Sequence, residues 1–405
     1  MNEQTTGSWE PSRREFVAAS AAGVLGLATG AANLVRAKES QPDGELLYVG
    51  SYTEDKREEG IFLLRMDTRT GALQQVDAVK AGANPSFLVI HPNGRVLYAV
   101  NEVTERGGKA TGGLSAFAMA PGSGALARLN EQPSEGGAPC YVSVDRGGRA
   151  VFVANYVGGN IALLPVQNEG GLAPARHVVQ HRGSGSNTSR QEAAHAHCIV
   201  PDPSNRFALA ADLGIDRVMV YRVDFDGGSL RHVEGGDARM RPGSGPRHLA
   251  FHPRLPLVYV ANELDSTVAT LRFDNESGVL SIVGTRSTLP LGWSGTNYPA
   301  DIHVAPSGRA LYVSNRGHNS IAVFSVAEAT GAIALEQTIS TEGDWPRNFS
   351  LDPTGQWLLA ANQRSNSIVV FRRDQDSGRL TLTSQRIAVP SPVCLRFRAH
   401  AGVTT

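Results

Sequence analysis

The sequence predicts an all-β protein: a single seven-bladed β-propeller over residues 45–398, closed by N- and C-terminal strands that share one blade. Three observations carry this. The chain has 44 Gly and 22 Pro among 405 residues and only 19% charged residues, too many turn formers for a helical bundle. A strand-and-turn unit of about 50 residues recurs along it, and no sustained 3.6-residue periodicity supplies the eight helices of a TIM barrel. Its two ends also carry complementary fragments of one further unit.

The N-terminus reads as a targeting segment. Ser12-Arg13-Arg14-Glu15-Phe16-Val17 leads into a mild Ala- and Gly-rich apolar run at 17–32 and a cleavage-like Val35-Arg36-Ala37. That run is shorter than the roughly 20 residues a membrane-spanning helix needs. A twin arginine before a weak apolar stretch resembles a bacterial twin-arginine export signal, here residues 1–37. The expected product is folded before export, meets the translocation machinery transiently, and ends periplasmic or secreted with no stable membrane association.

Composition narrows the partners. Lys and Arg number 38 against 38 Asp and Glu, so nothing in the net charge selects nucleic acid or an anionic membrane. Cys140, Cys198 and Cys394 are an odd set without CxxC spacing, from which no disulfide framework or zinc ribbon can be read. Each begins an apolar run, the setting of a small buried hydrophobe.

The repeat has three parts. A strand ending in a polar turn, Leu97-Tyr98-Ala99-Val100-Asn101-Glu102, recurs at 151–156, 208–213, 258–263, 311–316 and 358–363, with a weaker copy at 47–52. Turns of the His91-Pro92-Asn93-Gly94 kind precede the six full copies, each ten residues before the Asn or Asp. A Gly-x-Leu pattern ends every unit, at Gly71, Gly124, Gly170, Gly228, Gly278, Gly331 (with Ile333) and Gly378. Each unit thus supplies four short antiparallel strands, the blade of a propeller. Closure requires Pro392-Val393-Cys394-Leu395 to provide the first strand missing from the N-terminal unit, since an open ring would leave a bare edge. A closed ring has no obligate partner, so a monomer is expected.

The first strand of a propeller blade runs nearest the axis. Counting six back from each turn gives Pro85, Pro139, Ala196, Pro246, Pro299 and Pro346. The next residues are Ser86, Cys140, His197, Arg247, Ala300 and Arg347, followed by Phe87, Tyr141, Cys198, His248, Asp301 and Asn348. Behind each second-strand Asn or Asp stand Glu102, Tyr156, Leu213, Glu263, Arg316 and Gln363. The uniform prolines, asparagines and Gly-x-Leu glycines read as architecture, the asparagines capping strand ends. The non-uniform positions predict a polar cup: His197, Arg247, Glu263 and Arg316 as its catalytic members. Around them His195, Asp212, His248, Arg347, Asn348, Gln363 and Glu102 would bind substrate. Several cations with one carboxylate suit a small oxygen-rich anion. The competing reading makes these ion pairs that staple blades, Arg247–Glu263 for example.

Other residues weigh less. His91 and His252 fill a turn slot that Asp holds elsewhere and read as surface turn residues. His177, His181, His232 and His400 read as ordinary exposed positions. His195 and His197, two apart on a strand, face one side but lack a third ligand, so no metal or other cofactor is expected. The Ser/Gly-rich stretch 182–187 before them is a lid or a plain surface insertion. There is no G-x-S-x-G, H-E-x-x-H or P-loop pattern, which argues against a serine acyl-enzyme.

The strings HAHCIVPDPSNRF, ADLGIDRVMVY, GPRHLAFHP, YVANELDSTV, SNRGHNSIAVF and PRNFSLDPTG, with ANQRSNSIVVF, resemble the seven-bladed lactonase family. That family holds the propeller-type 6-phosphogluconolactonases and the fungal carboxymuconate cyclases, and the similarity runs from about Leu46 to Leu395. It implies hydrolysis of a small anionic lactone. In the muconate enzymes activity is ascribed to a His, two Arg and a Glu; the matching positions are His197 (His195 in the other register), Arg247, Glu263 and Arg316. From the cationic cup with its one carboxylate and His pair, Arg247 and Arg316 are expected to polarise the lactone carbonyl and hold a carboxylate or phosphate, while Glu263 or His197 activates water. Phosphogluconolactonase works in the cytosol, whereas this chain carries an export signal, so its own lactone need not be the phosphorylated one. Cycloisomerisation of a muconate-like diacid, or binding without turnover, remain open beside hydrolysis.

Overall fold

The computed structural model describes residues 44–53 and 58–398. The expected signal at 1–37 and His400 lie outside the described residues. Within them the chain forms seven antiparallel sheets, six of four strands and one of five. We number the blades from the first complete one. Blades 1 to 6 cover 88–133, 139–180, 196–239, 246–287, 298–340 and 346–388. Blade 7 joins Pro392–Phe397 to Glu45–Ser51, Glu59–Met66 and Leu73–Lys80. Val49 pairs with Leu395 and Gly50 with Cys394, so the C-terminal strand supplies the first strand of the N-terminal blade as expected. The first strand of every blade packs on the first strands of both neighbours in an unbroken circuit.

Alternation along the strands explains the stacking. Second strands such as Val96–Asn101 and Leu257–Asn262 are buried throughout, because both faces of an inner blade strand meet a neighbouring blade. Fourth strands such as Leu73–Lys80 are largely exposed and read as polar-rich. The core therefore lies between blades: Phe207 of blade 3 meets Phe273 of blade 4 edge-on, with centroids 5.8 Å apart.

Hydrogen bonds across blades follow the repeat. The second-strand tyrosines Tyr48, Tyr98, Tyr259 and Tyr312 each donate to the carbonyl of the Gly-x-Leu glycine in the next blade, at 2.6–2.9 Å. Each such bond contributes about 1 kcal/mol net, and its larger effect is to fix blade register. The glycine is required there. Gly331 has φ +68°, and a Cβ would stand 2.0 Å from Leu257 Cδ1 of blade 4. A side chain at that point is excluded by both backbone and neighbour.

The second-strand asparagines tie each blade to the chain arriving from the previous one. Asn101 donates to Ala81 O, Asn155 to Ser134 O, Asn315 to Thr288 O and Asn362 to Thr341 O. Asp212 occupies this position in blade 3, and here the sequence reading is corrected. Its carboxylate accepts from the His195 and Gly214 N–H groups and pairs with His181 Nδ1 at 2.6 Å, with no exposure. Asp212 is a tie of the asparagine kind and has no lone pair turned to a substrate. His181 is likewise buried, bridging Asp212 and the Tyr221 hydroxyl, because a carboxylate at this position needs a donor where asparagine needs an acceptor. His252 is also buried, its Nε2 against Gly308 O of the next blade, so this turn residue clamps two blades.

Candidate active site

The channel ring is built from β-bulges. In blade 2 Pro139 pairs with Asn155 and Tyr141 with Ala154, leaving Cys140 unpaired. The same skip leaves out His197, Arg247, Arg347 and Val393, and in blade 5 both Ala300 and Asp301. An unpaired residue is freed from the pleat and its side chain is re-aimed. In five blades the residue before the ring begins, Asn84, Ala138, Gly245, Trp345 or Ser391, has positive φ, four of them non-glycine. Strain of this kind persists where the surrounding structure holds a site in shape.

A cavity opens inside this ring, lined by Ser86, Phe87, Glu102, Cys140, Arg247, His248, Arg347 and Val393. It encloses about 230 Å³ including its open mouth. Arg347 makes no hydrogen bond or ion pair among the described residues; its guanidinium lies 5.5 Å from the Tyr52 ring centroid. Glu102 is the carboxyl of the cavity, its Oε2 accepting from the Tyr52 and Ser86 hydroxyls. Burial pushes this carboxyl up, although Arg347 and the two hydroxyls oppose the rise.

Beside the cavity Glu263 binds three arginines. Arg316 Nη2 stands 2.6 Å from Oε2, Arg190 Nη2 2.6 Å from Oε1, and Arg247 Nε 3.0 Å from Oε2. The Arg247 Nε–H is not aimed at the carboxylate and has no hydrogen-bond acceptor. Arg247 Nη1 donates to Ala300 O, and Nη2 has no partner among the described residues. Arg316 gives its Nε to the Tyr298 carbonyl and its Nη2 to Glu263 and the Pro299 carbonyl, and does not line the cavity. Burial alone would raise the Glu263 carboxyl, but Arg316, Arg247 and Arg190 reverse this and hold it well below the ordinary range. The ion-pair reading therefore describes part of the set: Glu263 joins blades 4 and 5 and the loop carrying Arg190. That loop, 181–195, brings a cation the repeat analysis missed, since Arg190 has no counterpart in other units.

Below the ring a polar belt crosses four blades. The Leu395 N–H donates to Asn348 Oδ1, Asn348 Nδ2 donates to Asp301 Oδ2, and Asp301 Oδ1 faces His248 Nδ1 at 2.8 Å. His303 Nε2 also reaches Asp301 Oδ2. Asn348 is committed at both ends of its amide and nearly unexposed, which corrects its expected role as a substrate ligand. Asp301 was not among the expected site residues.

The two neighbouring histidines separate. His195 stacks on Tyr156 with centroids 4.5 Å apart, its Nδ1 on Tyr156 O and its Nε2 on Glu192. Both nitrogens are occupied, so His195 supports the wall of the cup and is corrected as a substrate ligand. His197, on its bulge, sets Nδ1 3.5 Å from the Cys140 thiol, which burial keeps protonated. Gln363 is half-buried with Oε1 unpaired, outside the cavity lining. Among the described residues no group of three or more His, Cys, Asp or Glu could hold a metal ion.

These environments set an acid limit on stability. Burial, aided by the Arg247 cation, lowers His197 well below its ordinary value and His248 to about 3. Unfolded histidine binds a proton near pH 6.5, which these two refuse while folded, so stability falls as pH drops below about 6.5. Asp301 is also depressed, burial being outweighed by His303 and His248. The stability that Asp301 and Glu263 contribute is present above about pH 4 and lost as pH falls further. Glu102 has the opposite sign, one group against four. Urea denaturation at constant salt is expected to give a steady loss of stability from pH 7 to pH 3; a flat profile would contradict the buried neutral histidines.

Comparison with known proteins agrees with this architecture. The family described as lactonase, 7-bladed β-propeller, matches residues 46–397. A 6-phosphogluconolactonase of Bacillus subtilis is 37% identical over 350 residues, 86% of this chain and 97% of the relative. A 6-phosphogluconolactonase of Formosa agariphila is 34% identical, over 88% of this chain and 100% of the relative. The solved structure of a Pseudomonas aeruginosa periplasmic gluconolactonase superposes with a TM-score of 0.82 at 34% identity, covering 88% and 99% of the two chains. Repeats, closed ring and family match together show that the chain belongs to the seven-bladed β-propeller lactonase family.

Proposed function

We propose that the chain is a lactone hydrolase that opens a sugar-type or carboxylated lactone to its acid. The observation that carries this is the cavity itself: two guanidiniums, Arg247 and Arg347, reach it with donors that no acceptor among the described residues uses. Four arginines surround two carboxyls here, and burial pushes one of those carboxyls, Glu102, towards its neutral form. The surplus positive charge fits an anionic substrate and the oxyanion formed when water adds to its carbonyl. Arg247 serves the oxyanion and Arg347 the carboxylate or phosphate handle. Glu263 and Arg316 position Arg247; a carboxylate gripped by three guanidiniums is a poor base near neutral pH. The reaction needs water and no cofactor.

The chain is further proposed to act as an exported monomer. The twin-arginine leader and the periplasmic relative support export, and a ring closed by its own termini supports the monomer. The test is turnover by the purified full chain of 6-phosphogluconolactone, gluconolactone and a carboxylated muconolactone, each against its spontaneous hydrolysis. Hydrolysis of an anionic lactone well above background is expected. Silence on all three, or lactone formation from an unsaturated diacid, would overturn the reading.

A further inference from the structure

The lactonase reading leaves the water-activating base unassigned, and the polar belt beneath the cavity supplies one. We infer that His248, oriented by Asp301, is the general base of the site; this rests on the lactonase reading. The belt fixes the direction of every proton along it. A backbone N–H can only donate, so Asn348 presents Oδ1 to Leu395 and its Nδ2 hydrogens to Asp301. Asp301 is therefore an acceptor, and His248 Nδ1 must carry the hydrogen between them. Nε2, across the ring, is left as a bare lone pair on a residue that lines the cavity.

Arg247 does not occupy that lone pair. Its Nη1 lies 3.3 Å from Nδ1 and 3.1 Å from Nε2. The in-plane lone-pair directions of the two ring nitrogens diverge, so an atom this near both sits over the ring face. The other neighbours of the imidazole are Phe87 and Tyr141, edge-on at 5.6 and 5.0 Å, and His197 at 5.3 Å. Arg396 adds a more distant positive charge. No described residue competes for Nε2 in its plane. Asp301 is a positioning residue: it sets the tautomer and stabilises the imidazolium that forms.

The step balances. Nε2 takes a proton from water as the water oxygen bonds to the lactone carbonyl carbon, whose π electrons move onto oxygen beside Arg247. The intermediate collapses, the ring C–O bond breaks, and the leaving oxygen takes the proton back from Nε2. The products are the open hydroxy acid and neutral His248. Burial and the Arg247 charge weaken the imidazole as a base; an anionic substrate offsets the second of these.

The test uses the full chain and a lactone the wild type hydrolyses. His248→Ala is expected to lose about 10²–10⁴-fold in kcat with KM nearly unchanged, and added imidazole should restore part of kcat. Asp301→Asn should also lose kcat, without rescue by imidazole. Binding of the open acid by calorimetry, unchanged in His248→Ala, would show the cup intact. If that variant does not fold, His248→Asn, whose amide can still donate to Asp301, carries the same expected kcat loss. Wild-type kcat in a folded His248 variant, or a loss seen in KM alone, overturns the assignment while leaving the lactonase reading standing. A wild-type chain that hydrolyses no lactone overturns both.

Discussion

Glu263→Gln is expected to destabilise the folded chain by about 3–5 kcal/mol, as breaking a buried ion pair from one side does. Glu263 is 3% exposed, with Arg190, Arg247 and Arg316 converging on it. An amide keeps the shape but removes the charge, leaving three guanidiniums in a poorly solvated space without the carboxylate they share. One of the amide's two positions also becomes a donor facing donors. The loss should be visible as a lower urea midpoint at unchanged slope. Adding Arg316→Met should recover part of it, because that substitution removes the cation which lost its partner; this coupling is what a double-mutant cycle reads. Were Glu263 also the catalytic base, kcat would be abolished in the fraction of Glu263→Gln that stays folded, on top of the stability loss.

The repeats made the fold legible, because a propeller enforces one pattern seven times. The ten-residue spacing, the seven Gly-x-Leu turns and the split blade each follow from stacking like sheets around an axis. The same count marked Cys140, His197, Arg247 and Arg347 as a ring, although nothing in the residues announces that each is a bulge. Bulges are set by the pairing of two strands, and that register is not written in either strand alone. Asp212 and Asn348 misled because a polar residue at a ring-like position looks the same whether it faces a substrate or ties two blades. Only the partners distinguish them: His181 and backbone N–H groups for Asp212, Asp301 and Leu395 for Asn348. Arg190 was invisible for another reason. It belongs to a connection unique to one unit, so comparison between units had nothing to compare. Function here sits where the repeat is broken, on bulges and in one long loop, while the repeat itself maintains the shell.

Arg247→Ala is expected to lower kcat/KM by about 10²–10³-fold on any lactone the wild type hydrolyses, the loss of one oxyanion donor. Arg316→Ala would not isolate this effect, because Arg316 is outside the cavity lining and holds Glu263 and two carbonyls through Nε and Nη2. Arg247 differs in lining the cavity with donors left over. Its Nε–H has no acceptor although Glu263 is 3.0 Å away, and Nη2 is free among the described residues. A buried donor without a partner costs about 1–3 kcal/mol in the resting protein. An oxyanion that forms only during reaction satisfies it, so the interaction is stronger in the transition state than before it. The loss should therefore fall mainly on kcat. Stability should change little, since Glu263 keeps Arg190 and Arg316 and the cup sheds one of four repelling cations. Arg247→Lys should recover only a minor part of the rate, because an ammonium cannot span Ala300 O and the cavity with a rigid fork. Steady-state kinetics with unfolding curves for both variants check this directly. A kcat/KM within about threefold of wild type in folded Arg247→Ala would remove Arg247 from the chemistry and return it to the ion-pair cluster around Glu263.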